Sequence, residues 1–326
     1  MHGKSIGVIT DIMNVQYKVR DFKASPLVIG TRGSALAIAQ AKETRRRLMI
    51  AHDLFQEAFE IRIIQTKGDL VQDRPLSEIG GKGLFTQEIE DSLLIGEIDI
   101  AVHSMKDMAT FLPDGLSIST VLPREDVRDS FVSRKYATMN ELSEGCLVGT
   151  SSLRRKAQLL SIRPDLRVVE FRGNVQTRLK KLDQGIAEAT FLACAGLSRL
   201  GLKELINPIS IDQMLPAVAQ GAIGIEQRSD NEQIRDFLTP INDKITELQL
   251  LVERSFLAEL DGSCRTPIGG NASIMENKIT FRGEILKTDG SIIHSSVWCG
   301  DVSEAADLGI KAGQILREKG GESFFE

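Results

Sequence analysis

One pattern limits the fold of this chain more than any other: short apolar strands end in a polar burst and turn at once into a helix. Leu27–Gly30 is such a strand, followed by Thr31-Arg32-Gly33-Ser34 and the helical run Ala35–Met49. Ser34 offers a side-chain oxygen where the first turn of that helix has unpaired N–H groups. Phe59–Thr66 alternates as a strand, Thr86–Ile95 is a helix behind the loop Gly80-Gly81-Lys82-Gly83, and Asp99–His103 is a buried strand. After Leu122-Pro123-Arg124-Glu125 the order restarts. Strands at Phe131–Ser133 and Leu147–Gly149 precede a helix from Leu153, capped by Ser151-Ser152; a strand at Val168–Phe171, a helix at Asn174–Asp183 and a strand at Ala189–Ala193 follow. Alternating strands and helices specify parallel sheets covered by helices. Two such runs predict two α/β lobes.

The remainder reads differently. Ser210–Arg228 is Gly-rich and apolar, and a long helix spans about Asp243–Leu260. Lys278–Leu286 and Ser291–Trp298 flank Asp289-Gly290, a hairpin signal, and Glu304–Lys319 is a closing helix. The fold class is therefore α/β with a smaller α+β C-terminal part. At 326 residues the chain exceeds what one core serves.

Composition removes several function classes. A net charge of -5 argues against a general nucleic-acid binder, which needs a basic face for phosphates. Aromatics at 5% are too few for a base-stacking platform. Cys146, Cys194, Cys264 and Cys299 lack metal-site spacing and are too few for a disulfide scaffold, which fits a reduced, cytoplasmic protein without metal. No stretch is long enough to span a membrane. Residues 1–26 have no apolar run of signal-peptide type and are read as an N-terminal extension.

Four strings carry chemistry. His103-Ser104-Met105-Lys106-Asp107 ends a predicted parallel strand, the sheet edge where ligands bind. Asp107 suits an acid or an ion-pair partner and Lys106 an anion site; His103 reads either as a structural histidine or as a catalyst. Gly149-Thr150-Ser151-Ser152-Leu153-Arg154-Arg155 puts hydroxyls, N–H groups and two arginines at a helix start. Cations are disfavoured there, so a compensating anion is expected. Phe171-Arg172-Gly173-Asn174-Val175-Gln176-Thr177-Arg178 repeats the strand–turn–helix form, and Arg32 and Arg199 hold equivalent places. Guanidinium forks match carboxylate or phosphate oxygens, so arginines recurring at one topological edge predict a cleft for a polyanion. In Gly262-Ser263-Cys264-Arg265-Thr266-Pro267-Ile268-Gly269, Arg265 favours the thiolate of Cys264, although a lone cysteine in a turn also reads as a small buried hydrophobe.

Together, His103–Asp107, Val148–Arg155, Leu166–Arg178, Ala193–Leu202, Leu215–Gly224 and Gly262–Gly269 resemble, in order and spacing, the porphobilinogen deaminase (hydroxymethylbilane synthase) family from Leu27 to the C-terminus. The resemblance implies two lobes like type II periplasmic binding proteins plus a third domain bearing the attachment cysteine. The implied boundaries are 27–123 with 222–241, 124–221, and 242–326. The implied reaction joins four porphobilinogen molecules, with loss of ammonia, into the linear tetrapyrrole hydroxymethylbilane. The chain grows on a dipyrromethane cofactor held by a thioether to Cys264. Asp107 matches the catalytic aspartate. Cys264, Ser104, Lys106, Thr150, Ser152, Arg154, Arg155, Arg172 and Gly173 match cofactor-binding positions. Arg32, Ser34, Gln40, Arg172, Arg178, Arg199 and Gln220 match substrate-binding ones. Phe85, Lys82, Asp69 and Asp73 fall in what resembles a mobile loop. The resemblance further implies a monomer, with product passing to a downstream tetrapyrrole cyclase. Departures are Gly-Ser-Cys-Arg-Thr-Pro where the family often has Gly-Gly-Cys-x-Val-Pro, Ala219 where many members have Gly, and Glu78 where some have Lys. The competing reading, a two-lobed binding protein or sensor for an acidic metabolite, lacks a signal peptide or a DNA-binding helix pair and gives the Cys264 loop no use.

Overall fold

A computed structural model describes residues 25–70, 85–262, 266–321 and 324–325, except the side chains of residues 69 and 70. The reading of residues 1–24 as an extension, the predicted loop with Asp73, Glu78 and Lys82, the Asp69 side chain and the attachment residue Cys264 lie outside the described residues.

Local signals set the first elements. β1 (Leu27–Arg32) runs into α1 (Ala35–His52), and Ser34 Oγ caps it by accepting from the Ala37 N–H at 3.2 Å. β2 (Phe59–Ile64), α2 (Lys67–Leu70), α3 (Gln87–Leu94), β3 (Ile100–Ser104) and β4 (Leu116–Val121) follow. The second run comprises β5 (Asp129–Ser133), β6 (Leu147–Gly149), α4 (Leu153–Ile162), β7 (Arg167–Val169), α5 (Val175–Asp183), β8 (Ala189–Ala193) and α6 (Cys194–Arg199). The chain then returns as β9 (Ile223–Arg228) and α7 (Glu232–Leu238).

Two sheets share one design. The first has the order β2-β1-β3-β9-β4 and the second β7-β6-β8-β5. In each, three strands of one run lie parallel, and a strand that follows a segment crossing between the lobes pairs antiparallel with the third: β9 with β3, and β5, which opens the second run, with β8. The sheets are therefore mixed rather than purely parallel, because each lobe receives a strand delivered by a segment crossing from the other. β9 was hidden by its composition. Gly224 looks like a loop residue, yet a Cβ there would run into Met105 Sδ, so close packing selects the glycine.

The third part is antiparallel. α8 (Lys244–Glu259) precedes the sheet β10 (Ile268–Met275), β11 (Lys278–Leu286) and β12 (Ile293–Asp301), and α9 (Ala305–Gly320) packs on α8. The predicted hairpin is present, with Leu286 opposite Ile293. β10 begins at Ile268-Gly269-Gly270, so the two glycines lie within the strand.

The crossing segments meet over this third part. The Glu125 N–H donates to Gly221 O at 3.2 Å. Arg124 grips the buried Glu253 of α8 with two bonds, Nη1–Oε1 2.7 Å and Nη2–Oε2 2.9 Å, and its Nε donates to Gln220 O. Glu253 also accepts from the N–H groups of Ala219 (2.6 Å) and Ala272 (2.7 Å). A carboxylate this enclosed is tolerable only when so fully bonded. Ala219 and Ala222 of the crossing segment share one apolar cluster with Phe256 and Phe281 of the third part.

Candidate active site

The polar bursts meet in a cleft of about 680 Å³ between the lobes. The first lobe supplies Arg32 and Ser34 after β1, and Lys106 and Asp107 from the 3-10 turn after β3. That turn is anchored by Met105, whose side chain is buried, leaving Lys106 and Asp107 on the cleft side. The second lobe supplies Arg155 from α4, Arg172 and Gly173 from the turn before α5, and Arg178 from α5 itself. Gly173 adopts φ +120, a conformation that side-chain-bearing residues avoid. Its carbonyl accepts from Arg178 Nε at 2.9 Å, which aligns that arginine with the turn. A smaller cavity of about 70 Å³ adjoins Asp107 and adds Gln40, His103 and Ser104 to the lining. Phe85 borders both, with the Arg32 guanidinium 4.2 Å from its ring centroid.

Behind the cleft stands a residue that the sequence reading missed. Asp129 is fully buried and accepts from Arg154 Nη2 (2.7 Å), Arg155 Nη2 (2.7 Å) and Gln220 Nε2 (2.9 Å). Burial works to raise its pKa, but Arg154 and Arg155 outweigh that and hold the carboxyl well below its usual range. Thus the anion expected to compensate two arginines at the start of α4 is the protein's own. The available signal was an acid opening an apolar strand, Asp129-Ser130-Phe131-Val132, which must have partners if buried.

One carboxylate shared by two arginines leaves positive charge in excess. Lys106 Nζ adds to it, donating to Gln220 Oε1 at 3.3 Å. Desolvation lowers the Lys106 pKa to about 8, with Asp107 opposing and Arg155 reinforcing the shift. Desolvation likewise lowers Arg178 to about 10. Such cations favour a ligand that brings negative charge.

Not every predicted residue reaches the cavities. Ser152 caps α4, and Thr150 Oγ1 accepts from the Ser152 N–H at 3.1 Å. Arg154 is buried, with Nη1 donating to Leu215 O at 2.6 Å. Arg199 binds Glu43 of α1 at 3.3 Å and Gly221 O at 2.9 Å, joining the two lobes. Gln220 lies behind Lys106, and its amide N–H groups are spent on Val127 O and Asp129.

The cleft suits a dipyrromethane group. It is roomy, it is cationic on both walls, and Arg172 Nη1 is buried without a hydrogen-bond partner among the described residues. A buried donor in that condition costs free energy until an acceptor arrives. Carboxylate oxygens on a pyrrole are acceptors of the required kind.

Known proteins give the same direction. The family profile "Porphobilinogen deaminase, dipyromethane cofactor binding domain" matches residues 27–236, and "Porphobilinogen deaminase, C-terminal domain" matches 248–318. The porphobilinogen deaminase of Paracoccus denitrificans is 56% identical over 93% of this chain and 97% of its own length. That of Nitrobacter hamburgensis is 55% identical over 91% of this chain and 94% of its own. Among solved structures, the methionine binding protein MetQ is similar at 13% identity and TM-score 0.41, over 68% of this chain and 91% of that one. An arginine-specific periplasmic binding protein of Salmonella typhimurium is similar at 16% identity and TM-score 0.39, over 68% and 93%. Those two likenesses are too loose to weigh, and the lobes stand on their own sheet order. The curated relatives favour the enzyme over the binding-protein or sensor alternative. On these grounds the chain belongs to the porphobilinogen deaminase family.

Proposed function

We propose that the cleft condenses porphobilinogen units into hydroxymethylbilane, with Asp107 as the catalytic carboxylate and cations from both lobes as carboxylate clamps. The observation that carries this reading is Asp107 facing a cavity shared with Arg32, Lys106, Arg155, Arg172 and Arg178. Each pyrrole brings an acetate and a propionate, so each addition brings two negative charges to a cleft with cations to spare. Arginine forks fix the direction of those carboxylates and hence the pose of the ring. Loss of ammonia from the substrate's aminomethyl carbon leaves a cation delocalised into the pyrrole. Asp107 supplies a fixed counter-charge where that charge develops, commonly the largest catalytic contribution.

A covalently bound dipyrromethane supplies the acceptor pyrrole when present. Cys264 is its proposed thioether position, and Arg155, Arg172, Gly173, Lys106 and Ser104 are the proposed holders, with Arg154, Thr150 and Ser152 acting from behind. Arg32, Ser34, Gln40, Arg178, Arg199 and Gln220 are assigned to substrate. Arg199 would have to exchange Glu43 for a substrate carboxylate, and Gln220 would act by orienting Lys106. The sheet composition supports domain limits of 27–123 with 222–241, 124–221, and 242–326, since β9 completes the first sheet. No helix among the described residues is long and apolar enough to cross a membrane. A monomer in the cytoplasm that passes its unstable linear product to a tetrapyrrole cyclase completes the proposal. Incubation with porphobilinogen tests it: ammonium release with a product that closes and oxidises to uroporphyrin I is expected, and a protein that binds porphobilinogen without releasing ammonium would refute it.

A further inference from the structure

We propose that His103, held by Glu226, is a second catalytic residue of this cleft: it takes the proton lost by the acceptor α-carbon after each carbon–carbon bond forms. This inference rests on the reaction assigned above. On β3, Ile100 and Val102 enter one apolar core, and Ala101 enters the core on the opposite sheet face, under α3. By strand alternation His103 shares the Ala101 face. Glu226 of β9 stands there with Oε2 3.0 Å from His103 Nε2, and Glu90 of α3 is close by; all three are buried. Burial and the nearby Glu226 carboxylate raise the pKa of Glu90, against the pull of His103.

An apolar layer would be more stable without these groups. His103 lines the 70 Å³ cavity that is also lined by Asp107 and Arg32. With Nε2–H donated to Glu226, Nδ1 is the basic nitrogen, and it has no hydrogen-bond partner among the described residues.

The step balances. The substrate's methylene C–N bond breaks, and ammonia leaves with the electron pair. The methylene carbon bonds to the acceptor's α-carbon, which then releases its proton to His103 Nδ1 as the ring regains aromaticity. The imidazolium returns the proton to ammonia, and ammonium departs. Nothing is oxidised or reduced.

The test uses His103→Gln, whose side-chain amide N–H keeps a donor toward Glu226 but cannot take a proton. Glu226→Gln, which keeps the ring, is measured in parallel. Substrate is porphobilinogen with hydrogen or deuterium at its free α-carbon. Intact-mass measurement reads cofactor attachment and covalent additions, and thermal melting reads the fold. The expected result is a folded, cofactor-bearing His103→Gln protein with kcat about 100-fold lower. A deuterium effect absent from wild type should appear, with a smaller one in Glu226→Gln if His103→Gln does not fold. Wild-type kcat in His103→Gln, or no deuterium effect in either folded variant, overturns the proposal. A wild-type protein releasing no ammonium would instead refute the assigned reaction.

Discussion

Lys106 shows how a single side chain can be held ready for an anion. Its pKa is lowered to about 8 from 10.5. Between those values the unfolded chain binds more protons than the folded one, so this group adds stability as pH rises through that window. Below pH 8 the enclosed ammonium costs about 3 kcal/mol at most. Without ligand, Lys106→Met should therefore be more stable to urea at pH 7, with the gain vanishing above pH 10.5. Porphobilinogen binding should weaken as pH passes 8 in the wild type but not in Lys106→Met. At this scale the residue types of the site were legible in the sequence, because arginines and hydroxyls recur after strands. Their partners were not. Asp129, which fixes Arg154 and Arg155, is separated from them by 25 and 26 positions, and only the folded sheet places it behind α4.

Elements were legible where one period dominates. β1, α1, β3, α5 and the β11–β12 hairpin stand close to where alternation, capping and Asp289-Gly290 put them. Strand direction was not, because β5 and β9 each enter their sheet from a segment that crosses between the lobes, and nothing local marks that crossing. The crossing segment before β9 holds a strained residue. Ala219 has φ +62, in the left-handed region that costs side-chain-bearing residues about 1 kcal/mol or more, and Glu253 pins its N–H. Ala219→Gly relieves this, less the greater entropy of a glycine in the unfolded chain. The expected outcome is a stability gain of up to about 1 kcal/mol by urea titration. A loss of that size would show that the Ala219 methyl contributes more by packing than the backbone strain costs.

Across the whole molecule, the third part is fastened to both crossing segments through Glu253 and to the second lobe near Glu284. Burial raises the Glu284 pKa to about 7, against the pull of Arg154 and Arg282. The folded state then holds a proton that the unfolded chain has lost above 4.5, so stability falls as pH rises from there through 7. Glu284→Gln should recover up to about 3 kcal/mol at pH 8 and little at pH 4.5, read from urea midpoints at both values. The two-lobed plan was visible as one element order met twice, whereas the fastening depends on contacts between distant segments. The proposed chemistry rests on Asp107 facing cations contributed by both lobes. Ammonium released in the first turnover after mixing with porphobilinogen, wild type against Asp107→Ala, tests that most directly. Asp107 is exposed, so the variant should melt like wild type, carry its cofactor by intact mass and release ammonium at least about 100-fold more slowly. Release at the wild-type rate would contradict the account.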